Sequence, residues 1–196
     1  MEDDLRYDDE LLARARPVFR LWESPRACVV LGRSGRAERD VNTAECERLQ
    51  VPVLRRSSGG GAVVLAPGCL NYTLIFPLET NPHLADVRGG TRWIMERIRT
   101  ALSLECLTIE GDSDLAWRGR KVSGNAQKRT NDAVLHHGTL LYNFDATLPA
   151  RLLLPPARQP AYRAGRPDPL FLGNLPESQV RRQFQPDIIF PELVRV

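Results

Sequence analysis

The sequence predicts an α/β (α+β) domain, a mixed and mostly antiparallel sheet flanked by helices, and three observations carry that prediction. Short runs of β-branched and aromatic residues are separated by turn signals, without regular strand–helix–strand repeats. One longer stretch, beginning near Asp86 or Thr91, sets Trp93, Ile94, Ile98, Ala101 and Leu102 at helical spacing. With 196 residues, 42% of them hydrophobic, the chain can fill one substantial core. The expectation is a single domain over residues 1–196.

In order, residues from about Asp4 to Arg16 carry Leu5, Leu11, Leu12 and Ala15 among charges, an amphipathic helix that Pro17 should end. Val18 to Trp22 and Ala27 to Gly32 read as two strands joined through Glu23-Ser24-Pro25-Arg26, most simply a hairpin. Thr43 to Leu49 reads as a helix with Thr43 as its N-cap. Val51 to Leu54, Ala62 to Leu65 and Asn71 to Phe76 are further strands, the last two parted by a Pro67-Gly68 turn. The helix bearing Trp93 should pack on the core. Beyond it, Cys106 to Ile109, Leu115 to Trp117, Lys121 to Gln127 and His137 to Tyr142 continue the β-rich pattern. From about 149 to 196 prolines interrupt regular structure, and Leu152-Leu153-Leu154 and Leu170-Phe171-Leu172 supply apolar anchors.

Bulk composition narrows the partners. Lys+Arg 27 against Asp+Glu 24 leaves +3, too mild to mark a nucleic-acid binder, so anion recognition must come from local clustering. No apolar run reaches bilayer length and the start, Met1-Glu2-Asp3-Asp4, is acidic, so a cytoplasmic chain with no membrane span is expected. Cys28, Cys46, Cys69 and Cys106 are widely spaced, which fits reduced thiols better than a zinc site or a disulfide framework.

The most informative stretch is Arg55-Arg56-Ser57-Ser58-Gly59-Gly60-Gly61-Ala62-Val63-Val64. Three glycines let bare backbone N–H groups approach a ligand, and arginine offers a forked, permanently charged donor for phosphate or carboxylate. The stretch is neither a P-loop nor a dinucleotide fingerprint. A basic run ends in Lys121-Val122-Ser123-Gly124-Asn125-Ala126-Gln127, and His136-His137-Gly138-Thr139-Leu140-Leu141 follows. Adjacent histidines on a strand face opposite ways, which disfavours a metal pair.

These three stretches, in this order, resemble the lipoate-protein ligase A family, part of the biotin and lipoate ligase group; Ser113-Asp114-Leu115 stands where that family shows Asn-Asp-Leu. The resemblance implies the catalytic core shared with class II aminoacyl-tRNA synthetases. It implies activation of lipoate or octanoate by ATP to an acyl-adenylate, then transfer to a lysine of a lipoyl carrier domain, of a 2-oxoacid dehydrogenase or a glycine-cleavage H-like protein. Lys121 would be the catalytic cation. Arg56, Gly59, Gly60, Gly61, Ala62, Val63, Val64, Lys121 and Asp114 would bind ATP and the adenylate, with Asp114 as the Mg2+ ligand. Arg33, Gly124, His137 and Gly138 would line the substrate pocket. A separate accessory subunit is compatible with this pattern. The rival is a transferase moving octanoyl between carriers through a cysteine thioester, with Cys106 as nucleophile, although Leu104, Leu107 and Ile109 around it read as a buried strand. The second rival is a non-catalytic lipoyl-binding subunit.

Overall fold

The computed structural model describes residues 2–156 and 158–196. Eight α-helices and eleven strands are found among them: α1 (Glu2–Ala13), β1 (Val18–Glu23), β2 (Cys28–Leu31), α2 (Ala37–Asp40), α3 (Thr43–Arg48), β3 (Val53–Arg55), β4 (Val63–Leu65), β5 (Cys69–Pro77), α4 (Val87–Leu102), β6 (Leu107–Glu110), β7 (Asp114–Trp117), β8 (Arg120–Ser123), β9 (Asn125–Arg129), β10 (Ala133–Leu141), α5 (Thr147–Leu152), α6 (Asp168–Phe171), α7 (Glu177–Gln183), α8 (Pro186–Ile189) and β11 (Val194–Arg195). They form a five-stranded sheet ordered β11-β1-β5-β10-β9 and two three-stranded sheets, β3-β2-β4 and β6-β7-β8. The mixed, mostly antiparallel sheet with flanking helices is as expected; among the strand pairs of the described residues only β1–β11 and β2–β3 run parallel.

The side-chain period of two assigns each face of the large sheet. On β5, Tyr72, Leu74 and Phe76 face α4 and join Phe19, Ile94, Met95, Ile98, Leu102, Phe184 and Phe190 in the main core. Ile75 faces the other way, onto Leu11 and Leu12 of α1. Ile94, Met95, Ile98 and Leu102 of α4 are fully buried, and each contributes roughly 2–3 kcal/mol by leaving water. The helix starts where Asp86 accepts from the backbone N–H groups of Arg88 at 3.3 Å and Gly89 at 2.8 Å. It ends at Ser103, which takes the left-handed conformation at φ 47. A second core gathers Val29, Val30, Leu31, Val64, Leu65, Cys69, Leu141 and Phe144 under the β3-β2-β4 sheet.

Several local expectations are corrected. The first two strands make no hairpin: β1 pairs with β5 and β11, whereas β2 lies between β3 and β4 in another sheet. The even spread of apolar side chains in Val18–Trp22 and Cys28–Leu31 suits either partner, and only the two separate cores decide. The cap of α3 is Asn42, whose side-chain oxygen accepts from Glu45 N at 3.3 Å, rather than Thr43. Chain reversal after α1 comes at Ala15, at φ 47, ahead of Pro17. Lys121 to Gln127 is two strands, with Gly124 passing the chain from the small sheet to the large one. The C-terminal stretch is more regular than its prolines imply, since Pro169 and Pro186 sit in the first turns of α6 and α8, where a missing N–H costs nothing. No helix among the described residues is long and apolar enough to cross a membrane.

The His136 imidazole is fully buried, accepts from Gln127 Nε2 at 3.0 Å through Nδ1, and stacks beside Tyr72. Burial, reinforced by the neighbouring His137 and Arg129, pushes its pKa down to about 3. The unfolded chain takes up that proton near pH 6.5 while the folded chain refuses it, so stability present above pH 6.5 is lost as pH falls toward 3. Between pH 7 and pH 5 the loss from this group should be about 2 kcal/mol, read by urea unfolding. His136→Gln should flatten that part of the slope.

Candidate active site

The glycine loop crosses the end of β2 because it joins that strand's two neighbours, β3 and β4. Arg56 N donates to Leu31 O at 2.9 Å and Arg33 N donates to Ser58 O at 2.9 Å, which stitches the loop to the β2 end. Arg55 reaches the other way, its Nη1 donating to the carbonyls of Gly32, Arg33 and Gly35 at 3.0, 3.1 and 2.8 Å. Arg56 turns inward. Its Nε donates to Ser58 Oγ at 3.0 Å, Nη1 to Val30 O at 3.3 Å, and Nη2 to Gly59 O and Gly61 O at 2.7 and 2.9 Å. Its side chain is buried, and that burial pulls its pKa down to about 10, which leaves it a cation at neutral pH. Arg56 therefore holds the loop in shape as its main visible role.

Gly60 sits at φ 92, where a side chain is strained, and a Cβ on Gly32 would stand 2.1 Å from Gly60 O. Gly59 and Gly61 differ: a Cβ on either would meet nothing within 4 Å. Folding makes no steric demand for glycine there, so the bare backbone opens onto free space.

Two linked clusters continue from the loop. Ser58 Oγ lies 2.7 Å from His137 Nε2, and His137 Nδ1 lies 3.6 Å from Asp8 Oδ2. Asp8 is itself buried and accepts from Arg20 Nη1 at 2.9 Å and Thr73 Oγ1 at 2.8 Å. Next to His137, Gly138 pairs with Asn125 across β10 and β9. Asn125 accepts from the Tyr72 hydroxyl and donates to Ser123 Oγ at 3.1 Å and to Ser113 O. Thr139 N donates to Gly124 O at 3.2 Å, bringing the two motifs edge to edge.

Beyond Gly124 stands Lys121. Its Nζ is 2.8 Å from Asp114 Oδ2, and the same oxygen accepts from the Tyr162 hydroxyl at 2.9 Å. Both side chains are partly open, 26% for Lys121 and 17% for Asp114, so a ligand can reach the ammonium. A Cβ on Gly124 would press within 3.2 Å of Lys121 Cε and Nζ, so glycine leaves the lysine room to move. Lysine occurs in this chain only at 121 and 128, every other long cation being arginine.

The structure thus brings together the glycine loop, Arg33, His137, Gly138, Gly124, Lys121 and Asp114 through a continuous run of contacts. It corrects the reading of Cys106. That residue is exposed and precedes β6 at φ 60, with its carbonyl accepting from Arg118 N at 3.1 Å. It lies beyond the Trp117 end of β7, whereas Asp114 marks the opposite end, roughly 10 Å of strand away. Cys69 is fully buried, and burial pushes its thiol up to about 12, the wrong direction for a nucleophile. Among the described residues no group of three His, Cys, Asp or Glu could hold a metal. An ion held mostly by phosphates and water needs only one or two carboxylates, so Asp114 fits Mg2+ in that limited sense.

Sequence reasoning missed Asp8, Ser58, Asn125 and Tyr162. Asp8 carried a signal, since it lies on the same helical stripe as Leu5 and Leu12, where an acid is out of place unless it has a buried partner. Tyr162 carried none.

The family model of the lipoyl protein ligase A/B catalytic domain matches residues 1–168, and the chain belongs to that family. A Mycoplasma pneumoniae protein described as a probable lipoate-protein ligase A is 31% identical over 136 residues. That alignment covers 69% of this chain and 39% of the relative, so the chain spans about two fifths of that protein's length. A Thermoplasma acidophilum protein with lipoic acid bound superposes at TM-score 0.74 and 19% identity, over 93% of this chain and 76% of its own. A bi-partite lipoate protein ligase from the same organism, described with its E2 lipoyl domain, gives 0.70 and 19% over 93% and 75%. A lipoate-protein ligase A bound with ATP gives 0.70 and 20% over 91% and 75%. At these identities the three structures establish the fold.

Gly138→Ala would place a Cβ 1.8 Å from Asn125 Oδ1 and 2.7 Å from the Tyr72 hydroxyl. It should destabilise the chain by about 1–3 kcal/mol. Urea unfolding would measure this, and a neutral result would mean that β9 and β10 are not held this closely.

Proposed function

We propose that this chain is the catalytic unit of an ATP-dependent lipoate-protein ligase, forming acyl-AMP from lipoate or octanoate and passing the acyl group to a lysine of a lipoyl carrier domain. The observation that carries the reading is Lys121. It is a partly exposed ammonium beside the bare backbone of Gly124, in a family of lipoyl ligases, with the exposed thiol at the far end of the small sheet.

The residue chemistry suits the first step. A carboxylate must approach the α-phosphate of ATP, and two anions repel by several kcal/mol in a partly dry site. Lys121 would leave Asp114 and bridge the carboxylate and phosphate oxygens, gaining strength as charge builds on the phosphorus-bound oxygens. Arg56 would act through its field and through the N–H groups of Gly59, Gly60, Gly61, Ala62, Val63 and Val64 that it sets in place. Asp114 would be the protein ligand of Mg2+, which screens the phosphates when bound. Arg33, Gly124, His137 and Gly138 would border the acyl end. In the second step the acceptor amine attacks the acyl carbonyl and AMP departs with the bonding electrons. The acceptor amine, with an ordinary pKa of about 10.4, reacts as its neutral fraction. A lipoyl domain is the carrier class that fits this chemistry, and an accessory subunit is compatible with the bi-partite ligase described from Thermoplasma acidophilum. Four free thiols suit a reducing, cytoplasmic setting.

Pyrophosphate release from ATP and Mg2+ with lipoate, octanoate or biotin offered separately tests the reading. Release with lipoate or octanoate is expected. Lys121→Ala should reduce it by about 10²-fold, the scale for losing a preorganised charge. Cys106→Ser should leave it unchanged. Octanoyl transfer between carriers without ATP, abolished by Cys106→Ser, would instead establish the thioester route.

A further inference from the structure

We propose that Tyr162 is a positioning residue for the adenylation assigned above, a proposal that rests on that reading: its hydroxyl holds Asp114, and through Asp114 the ammonium of Lys121. The proline-rich strap over residues 160–173 thereby belongs to the active site, although its sequence carries no motif.

One carboxylate oxygen, Asp114 Oδ2, receives both groups, Lys121 Nζ at 2.8 Å and the Tyr162 hydroxyl at 2.9 Å. A phenol keeps its proton at neutral pH, and here that proton is directed at the carboxylate oxygen that also receives the lysine. The consequence is chemical. A neutral donor occupies a lone pair of Asp114 without cancelling its charge, so Asp114 keeps a partner when Lys121 turns to the substrate oxygens. Without it, Lys121 would be the only donor on that oxygen, and Asp114 would compete harder with the substrate for the cation.

The strap is built to deliver that hydroxyl. Ala161–Arg163 form a single 3-10 turn, and Ala164 at φ 49 and Gly165 at φ 71 reverse the chain. Arg166 ties the reversal down, donating to Gly119 O at 3.0 Å, Tyr162 O at 2.8 Å and Arg163 O at 3.0 Å. Arg163 pairs with Asp168 at 2.9 Å, and the Tyr162 ring rests on Phe171 with centroids 5.2 Å apart. The far end joins the strand that bears the lysine: Gly173 N donates to Lys121 O at 2.8 Å, and Arg120 Nε donates to Leu172 O at 2.7 Å. Both ends of the strap are therefore fixed to the β7–β8 unit, and the tyrosine has one aim.

The test uses Tyr162→Phe in the full chain, with pyrophosphate release and lysine side-chain NMR measured together. Labelled lysine gives only two ε-signals, from Lys121 and from Lys128, which pairs with Asp9 elsewhere and serves as control. The Lys121 signal should shift while the Lys128 signal stays. The kcat of pyrophosphate release should fall about tenfold, the scale of one hydrogen bond to a charged group, with KM for ATP changing less than about threefold. In an Asp114→Asn background, exchanging Tyr162 for Phe should change nothing further. Either an unmoved Lys121 signal, or an undiminished Tyr-to-Phe difference in the Asp114→Asn background, overturns the proposal and reduces Tyr162 to packing on Phe171. If the unmodified chain releases no pyrophosphate, the Lys121 signal alone decides whether Tyr162 holds the pair.

Discussion

The site depends on one buried guanidinium. Three consecutive glycines carry the largest backbone entropy of any residues, and left alone the segment would sample many shapes. Arg56 prevents this by bonding Ser58 Oγ and the carbonyls of Val30, Gly59 and Gly61. Each of these partners is a neutral oxygen. The hydrogen-bonding capacity is used while the charge is not cancelled, so the loop keeps a positive field beside the bare backbone of Gly59 and Gly61, where a Cβ would meet nothing within 4 Å. Arginine suits this place better than lysine because its planar fork reaches several carbonyls at once, and it stays charged even with its pKa lowered by burial.

Around that loop the large sheet sorts its side chains by face. The α4 face is apolar at Phe19, Leu74 and Phe76 and turns polar toward β9, where Asn125, Gln127 and Arg129 sit opposite Gly138, His136 and Val134. The α1 face carries a polar group in which Asp8 meets Arg20, Thr73 and His137. With side-chain exposures of 9% and 5%, the Arg20–Asp8 pair is a buried one, and removing either partner would cost about 3–5 kcal/mol. Asp9 on the same helix reaches Ser57 and Lys128, so α1 holds the glycine loop directly through Asp9 and indirectly through Asp8, His137 and Ser58. By contrast, Arg92–Glu96 and Arg181–Glu177 on the surface are worth at most about 1 kcal/mol.

Lys121 shows how the resting site avoids an idle charge. A lone ammonium in a half-closed cleft would be poorly solvated, and Asp114 offsets that. For the proposed reaction the offset must also be weak enough to reverse. Partial exposure of both groups and the second donor on Asp114 lower the barrier to exchange, because water and the Tyr162 hydroxyl can take the place of the lysine.

Much of this was legible in order. The mixed sheet, the α4 helix with Asp86 at its start, the glycine loop and the three motifs follow from local chemistry: periodicity, turn residues, and residue types that only an anion site requires together. Placement was not legible, because strand pairing is a choice among partners of similar local fitness. Val18–Glu23 and Cys28–Leu31 looked like a hairpin and went to different sheets, since each had a larger apolar surface to cover elsewhere. The same limit hid Asp8 and Tyr162, whose partners lie far along the chain. The sequence by itself determined which groups the proposed chemistry would draw on: Arg56, the glycines and Lys121. Only the tertiary structure decided which neighbours hold them, because a carboxylate on the first helix and a hydroxyl on the C-terminal strap come within bonding distance only after the long-range contacts close.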